Sequence, residues 1–368
     1  MSDEQKPAQY DPFLRGPFPA GVRTLAAHDE ARGRVFPIEV WYPAALRHAG
    51  QDLAAETQDG FVLRQSGAQK KQAAVRDAEA HAGKFPLIGY SHHSGGHRRV
   101  ATFLCTHLAS HGYVVAAVDH SESIAPELAR PADETEAQKN LRWQAVIESR
   151  VPDLEFLLDR MLTGADRMSQ AKPDETRIGI VGHSFGAWTV LAAPDVDERI
   201  QAVVALAPGG TSNPRPGVLP VKLDFNWKRA VPAVYLVAEN DVPLPLAGML
   251  ELFERAPEPR QMVILRRADH MHFLDDSEEQ HEAFRAMNNP LLPPELAQMQ
   301  KEMRPIAELA SGDQAQLWVR GLTLAHMDSV LKQNRSAQEF LAGDIEGELA
   351  ERGVEAILHQ HAPRAIAG

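Results

Sequence analysis

The sequence predicts an α/β protein with a mostly parallel central sheet of about eight strands and helices on both faces. From residue 85 onward, short continuous apolar runs alternate with segments whose apolar residues recur at helical spacing, and this alternation is typical of a parallel sheet covered on both sides. One apolar run, 177–181, leads directly into Gly182-His183-Ser184-Phe185-Gly186 and then into a helix-like run at 187–193. This G-x-S-x-G pentapeptide therefore has the strand–turn–helix context that its chemistry requires.

The predicted elements follow the chain in a regular order. The predicted strands are 22–27, 34–42, 86–90, 113–118, 177–181, 200–206, 232–238 and 261–265, and the predicted helices are 100–111, 136–162, 187–193 and 317–331. A charged link with one glycine joins the first two strands, which predicts an antiparallel hairpin. The remaining strands are continuous apolar runs, as expected for buried parallel strands.

We predict a single domain over residues 1–342, beginning with an irregular lead-in over 1–20. Residues 43–84 are polar with little apolar periodicity, which indicates a surface excursion with some helix. Residues 274–316 interrupt the alternation of strands and helices; this insertion either packs over the site as a partial lid or decorates the surface. The remainder, 343–368, is predicted to be a partly helical tail.

The composition limits which partners and which cellular compartment we expect for this protein. The net charge of −12 argues against nucleic acid or an anionic membrane surface as a partner. No apolar run approaches the length of a membrane span, and the first residues lack the basic and apolar regions of a signal peptide. A single cysteine, Cys105, excludes an intrachain disulfide. We expect a soluble cytoplasmic protein whose oligomeric state the sequence leaves open.

Ser184 is the predicted nucleophile. Its hydroxyl must stand clear of a sharp, strained turn, and glycine at 182 and 186 removes the Cβ atoms that would crowd that turn. The turn also opens a helix, so free amides and the positive end of the helix dipole lie beside the place where an oxyanion would form.

A serine hydroxyl needs a base to take its proton and an acid to orient that base. Polar clusters follow two later predicted strands: one contains Glu239 and Asp241, and the other contains His270 and His272. Both lie at the carboxyl edge of the sheet that also carries Ser184, where ligands bind in such sheets. We prefer Asp241 as the acid, with Glu239 second, and His270 over His272 as the base.

Two amides are predicted to form the oxyanion hole. One is the amide of Phe185, directly after the nucleophile, and the other is the amide of Ser94, in the Gly-containing loop after strand 86–90. The side chains predicted to line the substrate pocket are His93, His183, Trp188, Met271 and His272.

A metal site at His92, His93 and His97 is the alternative interpretation of the histidine-rich loop. Consecutive histidines point in different directions, and neither a cysteine nor a close carboxylate joins them. We therefore predict neither a metal nor another cofactor.

These segments together resemble the α/β-hydrolase superfamily: PLIGYSHHSGGHR, YVVAAVDHSES, GHSFGAW, VAENDVPLP and RRADHMHF. The closer similarity is to the dienelactone-hydrolase-like and platelet-activating-factor-acetylhydrolase-like serine esterases. The chain departs from that pattern in three ways. His93 stands where family members usually have glycine, the acid is placed one strand later than in the acetylhydrolases, and the nucleophile is serine where dienelactone hydrolases have cysteine.

The expected function is hydrolysis of small-molecule carboxylic esters through an acyl-enzyme, with a triad of Ser184, His270 and Asp241. Two alternatives remain open. The same triad serves lactonases, amidases and peptidase-type hydrolases, and a catalytically silent α/β-hydrolase fold can act as a binding protein.

Overall fold

The structure is built around one large, mostly parallel β-sheet. It is a computed structural model that describes residues 10–63, 67–120, 134–163, 170–287 and 293–359. The strands of this sheet are β1 (Ala20–Asp29), β2 (Arg34–Pro43), β5 (Val75–Arg76), β6 (Gly83–Ser91), β7 (Val114–Val118), β8 (Ala171–His183), β9 (Ile200–Leu206), β10 (Ala233–Ala238), β11 (Arg260–Leu265) and β12 (Ala356–His359). A separate antiparallel pair consists of β3 (Asp59–Val62) and β4 (Gln69–Gln72).

The strand order in the main sheet is β12-β11-β10-β9-β8-β6-β7-β2-β1-β5. Neighbouring strands from β11 to β7 pair in parallel. β2 runs antiparallel to both of its neighbours, and β12 runs antiparallel to β11. Every residue of β7 and of β10 is buried, as expected for strands covered on both faces.

Helices cover the sheet. They are α1 (Thr102–Ser110), α2 (Glu136–Thr163), α3 (Phe185–Ala192), α4 (Leu246–Arg255), α5 (Ser277–Arg285), α6 (Pro294–Glu302), α7 (Gly312–Leu331), α8 (Arg335–Ala342) and α9 (Ile345–Ala350). Helix α7 begins with a capping box, in which Ser311 and Gln314 satisfy each other's free amides.

Two glycines in adjacent strands show that helices lie on opposite faces. A Cβ on Gly89 of β6 would contact Leu154 and Leu158 of α2, whereas a Cβ on Gly179 of β8 would contact Met327 and Leu331 of α7. Gly89 pairs with Ile180, and side chains alternate between faces along a strand. The predicted fold class, a mostly parallel sheet with helices on both faces, is therefore confirmed.

The structure differs from the sequence prediction at two places along the chain. Within its described residues, 43–63 and 67–84, the excursion forms one short 3-10 turn, Leu46–His48, together with the β3–β4 pair and strand β5. The tail predicted beyond residue 342 contributes β12 to the main sheet, so the sheet continues past the predicted end of the domain. Residues 1–9 of the lead-in and 360–368 of the tail lie outside the described residues.

Within the described ranges, every helix is too short or too polar to cross a membrane.

Candidate active site

Ser184 lies at the sharp turn between β8 and α3, with φ of 58° and ψ of −115°. A non-glycine residue rarely adopts a positive φ, so this turn is strained. A Cβ on Gly182 would overlap the main chain of Gly186, and a Cβ on Gly186 would overlap the main-chain carbonyl of Ser91. The two glycines therefore permit both the turn and the close approach of the loop that follows β6.

Three side chains converge at the carboxyl edge of the sheet. His270, which follows β11, places its Nε2 2.9 Å from Ser184 Oγ, and its Nδ1 lies 2.7 Å from Asp241 Oδ2. Asp241, which follows β10, also accepts a hydrogen bond from the amide of Leu244 at 2.7 Å. The structure thus brings together the three residues that the sequence predicts as nucleophile, base and acid.

The second choices for acid and base lie elsewhere. Glu239 accepts a hydrogen bond from the amide of Arg267 at 2.9 Å and pairs with Arg266 at 3.2 Å. His272 is fully buried, accepts from the amide of Asp269 at 3.0 Å and donates from Nε2 to the carbonyl of Ala310 at 3.0 Å. Both residues therefore hold loops in place.

The pKa values of His270 and Asp241 suit a hydrogen-bonded chain of hydroxyl, imidazole and carboxylate. Burial tends to lower the pKa of His270, but the carboxylate of Asp241 outweighs burial and holds that pKa above its ordinary value. Burial raises the pKa of Asp241, while the interactions with His270 oppose the rise. An imidazolium formed on His270 would lie against a buried carboxylate, which stabilises the charge that the base acquires when it takes the serine proton.

The two predicted oxyanion donors lie on segments that touch each other. Phe185 is the first residue of α3, so its amide is at the positive end of that helix. Ser94 lies in a turn closed by a 3.1 Å hydrogen bond from the amide of Gly96 to the carbonyl of His93. The contact between Gly186 and Ser91 presses this loop against the nucleophile turn.

Histidine rings flank the base. The ring of His183 lies 4.8 Å from that of His270 and 5.4 Å from that of His93, measured between ring centres. Burial holds the pKa of His183 well below its ordinary value and lowers that of His93 to about 4, so both rings are neutral at physiological pH.

The remaining predicted pocket residues divide into two groups. Trp188 stacks on Phe185 at 5.4 Å and donates to the carbonyl of Lys222, and Met271 is half-buried beside the base. His272 differs from the prediction of a pocket wall, since it is fully buried between its own loop and Ala310.

The insertion at 274–316 is anchored to the loop that carries the base. The amide of Ala310 donates to the carbonyl of Arg267 at 2.6 Å, in addition to the hydrogen bond from His272. His281 of α5 donates from Nε2 to the carbonyl of Arg304 at 2.8 Å, and its Nδ1 lies 3.7 Å from Asp269 Oδ1.

The insertion also reaches the loop that carries the acid. Glu302 of α6 pairs with Arg215 at 2.6 Å, and Arg215 donates to the carbonyl of Val242, the residue after Asp241, at 3.2 Å. The insertion therefore packs against both loops that supply the partners of Ser184. Its residues 288–292 lie outside the described ranges.

Two histidine side chains of the histidine-rich loop form hydrogen bonds with main-chain carbonyls of the same loop. His92 donates from Nδ1 to the carbonyl of His93 at 2.7 Å, and His93 donates from Nδ1 to the carbonyl of Ser94 at 2.8 Å. Among the residues that the structure describes, no group of three or more His, Cys, Asp or Glu side chains has the arrangement of a metal site.

Sequence reasoning did not identify three buried polar residues beneath this loop: His120, Arg150 and Asp153. A signal was present for two of them. Arg150 and Asp153 fall among Val146, Leu154 and Leu157 on the apolar stripe of α2, and a charged residue on a buried stripe usually has a specific partner.

Comparison with solved structures agrees with this architecture. A ferulic acid esterase from Streptomyces cinnamoneus superposes with a TM-score of 0.59, covering 90% of this chain and 93% of that chain at 24% identity. The protein has the α/β-hydrolase fold.

Sequence comparisons find similarity to platelet-activating factor acetylhydrolases. Residues 38–160 match the family described as platelet-activating factor acetylhydrolase, isoform II. Platelet-activating factor acetylhydrolase of Cavia porcellus is 25% identical over 279 residues, which cover 65% of this chain and 60% of that protein. The enzyme of the same name from Canis lupus familiaris is 26% identical over 224 residues, covering 52% and 48%. The predicted resemblance to platelet-activating-factor-acetylhydrolase-like proteins is confirmed.

These similarities cover parts of the proteins compared. The chain spans 60% or less of the length of these two relatives. The family match ends at residue 160, before Ser184.

Proposed function

We propose that this protein is a serine hydrolase that cleaves small-molecule carboxylic esters through an acyl-enzyme. The observation that carries the proposal is the continuous hydrogen-bonded chain from Ser184 Oγ to His270, at 2.9 Å, and from His270 to Asp241, at 2.7 Å. This connectivity is what turns a weakly nucleophilic hydroxyl into an attacking group. The names of the relatives and of the structural neighbour, an acetylhydrolase and an esterase, agree with ester chemistry.

In the first half of the proposed reaction, His270 Nε2 takes the proton of Ser184 Oγ as the oxygen attacks the ester carbonyl. The carbonyl oxygen becomes an oxyanion, which the amides of Ser94 and Phe185 stabilise. When the tetrahedral intermediate collapses, the bond to the alcohol oxygen breaks and His270 donates its proton to that oxygen. The acyl group remains on Ser184.

In the second half, water replaces the alcohol. The water attacks the acyl carbon while His270 takes one of its protons, and the same two amides stabilise the new oxyanion. When this intermediate collapses, the carboxylic acid leaves and His270 returns the proton to Ser184 Oγ. Asp241 orients the ring of His270 in both halves and faces the positive charge that forms on it.

The side chains beside Ser184 support an uncharged, partly apolar substrate. Phe185 and Trp188 stack together, Met271 is half-buried, and burial lowers the pKa of His93 to about 4, which leaves that ring neutral. We expect no cofactor and no nucleic-acid partner, and the cytoplasmic location stays a prediction.

The test compares the wild type with Ser184→Ala on p-nitrophenyl acetate and p-nitrophenyl butyrate. We expect hydrolysis by the wild type that falls to background in the variant, together with covalent labelling of the wild type alone by a fluorophosphonate. Equal activity of the two proteins would refute the proposal. Matched lactones and anilides in the same assay separate an esterase from a lactonase or an amidase with the same triad.

A further inference from the structure

A network of polar side chains joins the start of the loop at 91–97 to the protein interior beneath it. We call it the buried network, and its members are Ser91, His92, His120, Arg150 and Asp153. The exposed fraction of each is 0%. They come from the end of β6, the end of β7 and helix α2, so three elements of the fold meet at this point.

Three members are connected in the same way as a catalytic triad. Ser91 Oγ lies 3.0 Å from His120 Nε2, and His120 Nδ1 lies 3.0 Å from Asp153 Oδ2. Catalysis at Ser91 is excluded because neither substrate nor water can reach a fully buried hydroxyl. A buried polar network that has no access to solvent acts on the structure around it.

The hydrogen bonds define the tautomer of both histidines in the network. Burial, reinforced by the positive charge of Arg150, holds the pKa of both rings well below the ordinary value, so both are neutral. His120 then donates from Nδ1 to Asp153 and accepts from Ser91 at Nε2. His92 accepts at Nε2 from the amide of His120, at 3.0 Å, and donates from Nδ1 to the carbonyl of His93, at 2.7 Å. Neither ring can turn without breaking two hydrogen bonds.

The hydrogen bond from His92 to the carbonyl of His93 affects the orientation of the Ser94 amide, the predicted oxyanion donor. The carbonyl of His93 and the amide of Ser94 belong to one peptide unit. In a planar trans peptide the C=O and N–H bonds point in opposite directions. A donor that holds the carbonyl of His93 on the interior side therefore aims the amide of Ser94 away from the interior, which is the direction that an oxyanion donor on this loop needs.

Arg150 contacts both segments that supply the predicted donors. It donates from Nη2 to the carbonyl of His92, and its guanidinium lies over the ring of Phe185, 4.4 Å from the ring centre. Burial lowers the pKa of Arg150 to about 9, so the group remains a cation at neutral pH. One buried side chain therefore joins the loop that carries Ser94 to the residue whose amide is the other donor.

We infer that the buried network positions the oxyanion hole: through His92 and Arg150, it fixes the amides of Ser94 and Phe185 relative to Ser184. This inference rests on the proposed ester hydrolysis and deepens it. The members of the buried network are positioning residues, since none of them touches the reacting atoms. Misplaced donors weaken the stabilisation of both tetrahedral intermediates while leaving the binding of the ground-state ester intact, so kcat falls more than KM changes.

The test compares His92→Ala, His92→Asn and His92→Gln with the wild type. The side-chain amide of asparagine can place a donor near the position of Nδ1, whereas that of glutamine places it near the position of Nε2. We expect kcat on p-nitrophenyl acetate to fall about 10- to 100-fold in His92→Ala, somewhat less than the loss of a whole oxyanion donor. KM should stay within about threefold, and His92→Asn should retain more activity than His92→Gln.

His107→Ala is the matched control. His107 is also buried and also bonds a main-chain carbonyl, that of Pro12 at 3.0 Å, but it lies in α1 outside the network. We expect its kcat to match that of the wild type. A normal kcat in His92→Ala, an equal fall in His107→Ala, or a loss found only in KM would each overturn the inference.

The asparagine and glutamine variants keep the test decisive if His92→Ala does not fold: equal kcat in these two would overturn the role of the Nδ1 donor. Failure of the proposed function looks different, because Ser184→Ala would then be as active as the wild type. An enzyme that depends on Ser184 but not on His92 would refute this inference alone.

Discussion

The imidazole of His183 lies with its ring centre 4.8 Å from that of His270, yet the two rings have opposite charge preferences. Burial holds the pKa of His183 well below its ordinary value, whereas Asp241 holds that of His270 above it. A neutral neighbour does not repel the imidazolium that forms on the base. The residue before the nucleophile therefore packs against the base without opposing its protonation.

The raised pKa of His270 predicts the acid limb of the pH–rate profile. The base acts only when deprotonated, so kcat/KM should fall as pH decreases through the pKa of His270. We expect the midpoint above about 6.5, the ordinary value for histidine. Initial rates on p-nitrophenyl acetate between pH 5 and 9, each corrected for spontaneous hydrolysis, measure it. A midpoint below that value would contradict the assigned pairing with Asp241.

Replacing the acid should remove most of the activity, since Asp241 fixes the tautomer of His270. We expect kcat to fall by about 10³- to 10⁴-fold in Asp241→Asn with the fold intact, the size of effect known for triads that lose their acid. Glu239→Gln is the matched control, because that carboxylate pairs with Arg266 instead. Comparable losses in the two variants would show that the acid is misassigned.

The contact between the nucleophile turn and the loop after β6 predicts a steric effect at Gly186. A Cβ there overlaps the main-chain carbonyl of Ser91, which cannot move as a flexible side chain would. We expect Gly186→Ala to lower the free energy of unfolding by about 1–3 kcal/mol and kcat by more than tenfold. Gly60→Ala serves as the control, since the nearest atom to its Cβ is the carbonyl of Lys70 at 3.9 Å. Urea unfolding of both variants measures the difference.

His281 predicts a pH-dependent attachment of the insertion. Burial tends to lower its pKa, but the carboxylate of Asp269, 3.7 Å away, and the hydrogen bond to the carbonyl of Arg304 hold the pKa above the ordinary value. A raised folded-state pKa gives stability that is complete below about pH 6.5 and is lost as pH rises through the folded value. We expect amide hydrogen exchange in 274–287, corrected for intrinsic rates, to be faster at pH 8.5 than at pH 5.5.

The variant His281→Gln isolates that effect. Glutamine can still bond the carbonyl of Arg304 but cannot become charged, so the corrected exchange of 274–287 should depend less on pH than in the wild type. An unchanged dependence on pH would assign the effect to other groups, such as Asp275, whose pKa burial raises to about 6.

The nucleophile turn and its partners could be predicted because their signals are local. Ser184 is marked by glycines within two residues, and Asp241 and His270 each follow a continuous apolar strand. A parallel sheet brings the carboxyl ends of such strands to one edge whatever the details of packing. The order of the strands along the chain then suffices to place the three side chains together.

Other parts depend on tertiary contacts that no local pattern contains. His272 carries the same side chain as His270 two residues later, and only the position of Ala310 makes it a loop anchor. Strand β12 has four residues, partly exposed, and is stabilised by pairing with β11 rather than by its own pattern. His120 and Asp153 are separated by 33 residues and meet only in the folded protein.

Strand β12 has a consequence for the strand that carries the base. It pairs with β11 along 356–359, and Glu355 just before it accepts from the amide of Arg266 at 2.9 Å. A protein shortened after residue 342 would leave the outer amides and carbonyls of β11 open at the rim of the sheet. Open rims of this kind recruit strands from other molecules. β12 is itself the edge of the described sheet, but its four residues, against six in β11, offer a shorter edge for self-association on the side from which His270 extends.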